Sequence, residues 1–217
     1  MPNYCSCKLE VSGNKDELAK FISTMNGTFS FNQIIPMPEE LTKIHNGYAT
    51  IKVNGVDKQV RSWMEEDDGN GNCVRVPVPA ELAKRLINTY GTTSWYNWAI
   101  SNWGTKWDAG DVRVDVGKDQ ANIWFETAWS PPRAYLEKVS EIFGLKFSIH
   151  FAEGGSCFWG TYVYENGVCV SERVSDQFWK EKPAGMSEDH WYGMEEEDRI
   201  VEECLNHIHK YGIGTGG

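Results

Sequence analysis

Lys106 stands between Trp103 and Trp107 in the run Asn102-Trp103-Gly104-Thr105-Lys106-Trp107-Asp108, the arrangement in this chain best suited to chemistry. An ammonium beside indole faces can hold a phosphate while a flat base stacks on a ring. A second aromatic run, Trp124-Phe125-Glu126-Thr127-Ala128-Trp129-Ser130-Pro131-Pro132, follows it. Six of the ten tryptophans fall between Trp95 and Trp129. Each indole is large and carries an N–H that needs a partner once buried. Such density calls for an unusually aromatic core or for a platform that takes a flat ligand. The expected contacts are Trp103, Lys106, Trp107, Trp124 and Trp129, with Asn102 and Thr127 as polar anchors. The plain structural alternative has Trp103 and Trp107 packing on a sheet and Lys106 pairing with Asp108. Ser130 and Pro131 then simply start a helix.

Other chemistries find little to work with. His45, His150, His190, His207 and His209 have no nucleophile motif near them, and Gly-x-Ser-x-Gly does not occur. His207 and His209, two apart on a helix, point in different directions and make a poor metal pair. Neither a phosphate-binding loop nor a dinucleotide fingerprint is present. Glu65-Glu66-Asp67-Asp68-Gly69-Asn70-Gly71-Asn72 is acidic but lacks the central Gly and terminal Glu of a calcium loop, so it reads as a solvated loop. The cysteines, among them Cys5, Cys7, Cys73 and Cys204, include no Cys-x-x-Cys pair and read as reduced thiols of a cytoplasmic protein. No catalytic residue, metal or cofactor is expected, and the chain reads as a binding protein rather than an enzyme.

Composition narrows the partners. The 217 residues carry 31 acidic against 21 basic side chains, a net charge of −10. A protein that grips a phosphate backbone needs clustered Lys and Arg, so polymeric nucleic acid is an unexpected partner, whereas a small anion held by one or two cations is compatible. Met1-Pro2-Asn3 leads straight into a strand, with no signal peptide and no stretch long enough to span a membrane.

The elements that must position these residues follow from periodicity. Cys5, Cys7, Leu9 and Val11 alternate with Tyr4, Ser6, Lys8 and Glu10, which predicts a half-buried strand. Asn14 with Glu17 opens a helix carrying Leu18, Phe21, Ile22 and Met25, and Phe29 and Phe31 read as a second strand closed by Ile35-Pro36. From about 39 to 92 the chain reads as an insertion, with a hairpin turning at Asn54-Gly55 and a helix over Ala80–Tyr90. A tryptophan helix follows, its Tyr96, Ala99, Ile100 and Trp103 stripe toward the core and Trp95, Trp98 and Asn102 on another side. Strands at Asp111–Val116 and Asn122–Trp129, a helix with Leu136, Val139 and Phe143 inward, and a strand over Leu145–Phe151 complete the core. The expected plan is α+β: a ferredoxin-like βαββαβ antiparallel sheet with helices on one face, a large insertion after the second strand, and a C-terminal hairpin plus helix. That gives a domain over 1–172 and a C-terminal extension over 173–217, whose amphipathic helix turns Ile200, Cys204, Leu205, Ile208 and Tyr211 inward. A surplus of apolar surface at Trp95, Trp98 and that helix predicts a homo-oligomer, most simply a symmetric dimer.

Four motifs taken together resemble the YubB ferredoxin-like family, encoded mainly by bacteriophages, prophages and plasmids. They are Met1-Pro2-Asn3-Tyr4-Cys5, Ile34-Ile35-Pro36-Met37-Pro38-Glu39-Glu40-Leu41, Asn102–Trp107 and Phe125–Pro132. The resemblance covers roughly residues 1–160, with Tyr4, Cys7 and Ala99 departing from the family's usual Trp, Asn and Cys. It implies a mobile-element origin, host cytoplasm as the location, and a ferredoxin-like fold; it implies no activity. With the indoles it leads to an expected function: a phage-type protein that sequesters a small nucleotide, such as a cyclic one, against host immune signalling. Two alternatives stand beside it. The first is an acidic, nucleic-acid-mimicking inhibitor of a host protein; the second is a nucleotide-processing enzyme.

Overall fold

The computed structural model describes residues 3–154, 158–175 and 196–213. Its elements run β1 (Tyr4–Ser12), α1 (Lys15–Thr24), α2 (Phe31–Ile34), α3 (Glu39–Thr42), β2 (Ile44–Val53), β3 (Val56–Asp67), β4 (Cys73–Pro77), α4 (Ala80–Tyr90), α5 (Trp95–Asn102), β5 (Gly110–Val116), β6 (Gln120–Ala128), α6 (Arg133–Phe143), β7 (Lys146–Glu153), β8 (Phe158–Glu165), β9 (Val168–Val174) and α7 (Glu196–Tyr211). The chain divides into two compact units, residues 35–102 and the remainder. Among the described residues no helix is long and apolar enough to cross a membrane.

The larger unit is built on a six-stranded sheet ordered β5-β6-β1-β7-β8-β9, every neighbouring pair antiparallel. Cys5, Cys7, Leu9 and Val11 of β1 are fully buried, as alternation requires, beside Ile123 and Phe125 of β6 and Phe147 and Ile149 of β7. Helices α1 and α6 cover that face: Phe21 of α1 meets the rings of Phe143 and Phe147 edge-on at 5.3 Å. Asn14 caps α1 by accepting hydrogen bonds from the N–H groups of Asp16 and Glu17. Glu17 does not complete a capping box; its carboxylate pairs with Lys20 at 2.6 Å.

The opposite face is covered in part by α7. Cys204 and Ile208 pack on Ala152 and Trp159, and Tyr211 stacks on His150 at 3.8 Å. Leu205, expected inward, is exposed because it lies off the Cys204–Ile208–Tyr211 stripe. The inward placement expected of Ile200, and the stretch from 176 to 195, lie outside the described residues.

One strand expectation is corrected. Phe29–Ile34 forms no strand; Phe31–Ile34 is a helical turn whose first N–H groups, Phe31 and Asn32, donate to the Asp108 carboxylate. Phe29 and Phe31 are both buried, meeting each other and Tyr135 as an aromatic cluster rather than alternating across a sheet. The smaller unit therefore follows α1 and α2 and precedes β5, and no second strand comes before it.

Within the smaller unit β2, β3 and β4 form an antiparallel sheet. Asn54 and Gly55 both adopt positive φ, +52° and +79°, the turn expected of an Asn-Gly hairpin. The acidic run is more ordered than its composition suggests: Glu65–Asp67 lie in β3, and the Asp67 and Asp68 carboxylates accept backbone N–H bonds from residues 69–72. In α5 the buried pair is Trp98 and Ala99, while Ile100 is exposed. Trp103, expected on the same stripe, falls beyond the helix and belongs to the larger unit.

Candidate functional site

The two tryptophan motifs fold into one clasp at the end of β6. Gly104, at φ +83°, lies so close to the start of α6 that a Cβ there would stand 2.8 Å from the Arg133 nitrogen. That approach lets the Trp103 carbonyl accept the Tyr135 N–H at 3.3 Å, taking up an otherwise orphaned donor of the first helical turn. Thr105 donates its hydroxyl to the Ala128 carbonyl at 3.0 Å, and Ser130 donates to the Gly104 carbonyl at 3.1 Å. Ser130 is thus not the helix cap expected of it: α6 begins at Arg133, not at Pro131, and the hydroxyl ties the clasp instead. Trp103 is buried against Phe31, and Thr127, also buried, donates to the Ser130 carbonyl at 2.8 Å.

What the clasp leaves outside is Lys106. Its Nζ lies 4.4 Å from the centre of the Trp107 ring and 5.1 Å from that of Trp129. Both indoles are surface groups, 38% and 42% exposed. Asp108, the expected ion-pair partner of Lys106, instead accepts from Ser30, Phe31 and Asn32. Lys106 therefore meets two π-faces and, among the described residues, has no carboxylate within ion-pair distance. Trp129 adopts φ +69°, a left-handed conformation that costs an L-residue roughly 1–2 kcal/mol. It is held there by its own N–H on the Asn3 carbonyl and by the turn from Ala128 to Ser130.

Of the seven expected contacts, the structure brings together Lys106, Trp107 and Trp129. Trp103 and Thr127 lie in the packing beneath them. Asn102 ends α5 in the smaller unit, its amide donating to the Trp98 carbonyl at 2.8 Å. Trp124 projects from the sheet face opposite α1 and α6, five residues back along β6, roughly 16 Å from Trp129. Its neighbours are Arg113 of β5 and Lys8 of β1, whose cationic ends lie 4.8 Å and 5.8 Å from the ring centre. Sequence reasoning missed Arg113 altogether and placed Lys8 only on the open face. Alternation gives the face of each residue, but the register that lines them up comes from long-range pairing.

Burial holds three reactive groups, Cys5, His150 and His207, in their neutral forms at neutral pH. Burial, then hydrogen bonding and charge from Cys7, push the Cys5 thiol well above its usual range. Burial lowers His150 to about 4, with the nearby Lys8 and Lys210 working against Glu10. His207, whose Nε2–H donates to the Gly160 carbonyl 3.1 Å away, is likewise lowered to about 4 by burial and by His150. Among the described residues no three His, Cys, Asp or Glu side chains gather as a metal site would require.

No curated protein matches the chain. A crystal structure of the protein Api92 from Yersinia pseudotuberculosis is similar to it over 86% of this chain and 100% of that one, at 12% identity and a TM-score of 0.49. Residues 102–201, from the end of α5 into α7, match the family model described as the ferredoxin-like domain in Api92-like protein, and the antiparallel α+β unit around the Lys106 clasp is a ferredoxin-like domain.

Proposed function

We propose that the chain is a non-enzymatic binding protein that sequesters a small nucleotide at Lys106, Trp107 and Trp129. One observation carries the reading: an ammonium without a carboxylate partner among the described residues sits against two half-exposed indoles, one of them in a left-handed backbone conformation. In a chain with 31 acidic and 21 basic residues, a cation left to indoles alone is set aside for an anion. The indoles supply stacking surface for a base, and backbone strain concentrates where a side chain must be presented. The excess of carboxylates favours a mononucleotide-sized ligand over a polymer.

The finer fold reading takes β1, α1, β5, β6, α6 and β7 as the βαββαβ core, with the smaller unit inserted between α1 and β5. Mobile-element origin, carried by the motif resemblance, would give the binding its use: removal of a nucleotide signal from the host cytoplasm. Of the surface expected to form a dimer, Trp98 is buried within the chain and Cys204 and Ile208 of α7 pack on the sheet, which leaves Trp95 half-buried. Exposed Val168 and Val170 on the edge strand β9 are the better contact, and light scattering tests it.

Calorimetry against a panel of mono- and cyclic nucleotides tests the function. Binding tighter than about 100 µM, roughly 5.5 kcal/mol, should be seen, and the equivalent held at the clasp should be lost in Lys106→Ala. Steep weakening with salt alongside capture of a stoichiometric host protein would favour the acidic-inhibitor alternative.

A further inference from the structure

Trp124 stands apart from the Lys106 clasp, and its own surroundings point to a second site. Strand register sets Arg113, Trp124, Lys8 and His150 in one row across β5, β6, β1 and β7, on the face opposite α1 and α6. The indole is flanked by the Arg113 guanidinium at 4.8 Å and the Lys8 ammonium at 5.8 Å. Beyond Lys8, Tyr211 of α7 lies on the His150 ring at 3.8 Å and 12°. Trp124 and the Tyr211–His150 stack are thus two strand spacings apart, roughly 10 Å. The row therefore places Lys8 between two aromatic groups, and these bound the cleft proposed below. Two ring contacts of about 4.5–7 Å each span that width, which suits one flat ring.

Charge narrows the ligand. Lys8 gives one of its three donors to Glu10 at 2.8 Å and keeps the others. Arg113 is exposed and, among the described residues, has no carboxylate within ion-pair distance. Asp115, Glu126 and Glu10 share the face, Glu10 also lying 3.9 Å from His150 Nε2, and together they would repel a long polyanion. We infer that this cleft is a second nucleotide site, separate from the Lys106 clasp: it seats a base over Lys8 between the Trp124 and Tyr211 rings, with its phosphate on Arg113. The C-terminal helix α7 then has a binding role, since it supplies one wall. The inference does not depend on the Lys106 reading.

Calorimetry of the full chain with adenosine, guanosine and uridine monophosphates tests it, with adenosine and ribose 5-phosphate as separated halves. Trp124→Ala and Tyr211→Ala should each remove one equivalent of nucleotide or weaken it at least about tenfold, in the range of losing a stacked ring. Tyr211→Phe keeps the ring and α7 in place and should bind as the parent does. Arg113→Ala changes an exposed side chain, so it should fold normally and weaken the monophosphates while leaving adenosine unaffected. Lys106→Ala should leave this equivalent intact. Unchanged binding in both Trp124→Ala and Arg113→Ala would overturn the cleft, as would an unmodified chain that takes up none of the monophosphates. If Trp124→Ala removes the only equivalent and Lys106→Ala removes none, the cleft stands and the Lys106 reading falls.

Discussion

The carbonyl of Trp103 accepts the N–H of Tyr135 at 3.3 Å, so the loop of the first tryptophan motif caps the helix that follows the second. Much of the tryptophan density is explained by this one relationship. Gly104 allows the approach, Thr105 and Ser130 fasten it, and Trp103 fills the core beneath. Function is then left to the side chains that the clasp does not use.

Gly104→Ala should be among the more damaging single-methyl changes in the chain. The new Cβ would meet the Arg133 and Ala134 nitrogens at 2.8 Å and 3.0 Å, and φ +83° is already unfavourable for alanine. Left-handed strain alone is worth roughly 1–2 kcal/mol, and displacement of the α6 cap adds to it, so a loss of at least about 2 kcal/mol is expected in urea unfolding. A loss below about 0.5 kcal/mol would show that the clasp relaxes freely.

Tyr135→Phe should have the opposite sign. The Tyr135 hydroxyl is buried, has no hydrogen-bond partner among the described residues, and is held protonated by burial and by the nearby Asp108. An unpaired buried hydroxyl costs about 1–3 kcal/mol, so its removal should leave stability unchanged or raise it. Destabilisation by more than about 1 kcal/mol would mean that the hydroxyl is bonded in solution.

Much of this fold was legible in the sequence. The alternation at Cys5–Val11, the Asn54-Gly55 turn and the apolar spacing of α1 and α6 are local signals, and each element is where they put it. Phe29 and Phe31 misled because two buried aromatics two apart look like a strand face. Only Asp108, far along the chain, turns that segment into a helical one. Lys106 between indoles was visible as a pattern, yet the second ring is Trp129 rather than Trp103, a pairing set by the clasp. Arg113 gave no local sign at all, because its position beside Trp124 exists only through the register of β5 on β6.

Acid should loosen the chain through its two buried histidines. In the folded protein His150 and His207 stay neutral down to about pH 4, whereas in the unfolded chain they protonate near about 6.5. Between those values the unfolded state binds more protons. Their contribution is therefore complete above about pH 6.5 and is lost as pH falls through 4. Urea midpoints measured from pH 7.5 to 4 should decline over that window, and the decline should be shallower in His150→Phe than in the parent. Equal slopes for the two would remove His150 from the account.

The last prediction separates presentation of an indole from packing of one. Trp129 is 42% exposed and sits at φ +69°. Asparagine tolerates that backbone far better than tryptophan does. Trp129→Asn should therefore exchange some apolar burial for relief of strain, and stability should change by less than about 1 kcal/mol. Binding is a different matter: without the second ring Lys106 loses one of its two faces, and a stacked base loses roughly 1–3 kcal/mol. A core tryptophan would behave the other way, since truncating Trp103, which is buried against Phe31, should cost about 3–5 kcal/mol of stability. Melting and nucleotide titration of Trp129→Asn and Trp103→Ala, side by side, decide the point. If Trp129→Asn unfolds the chain as readily as Trp103→Ala and leaves affinity untouched, Trp129 is scaffold and its exposure has no bearing on a ligand.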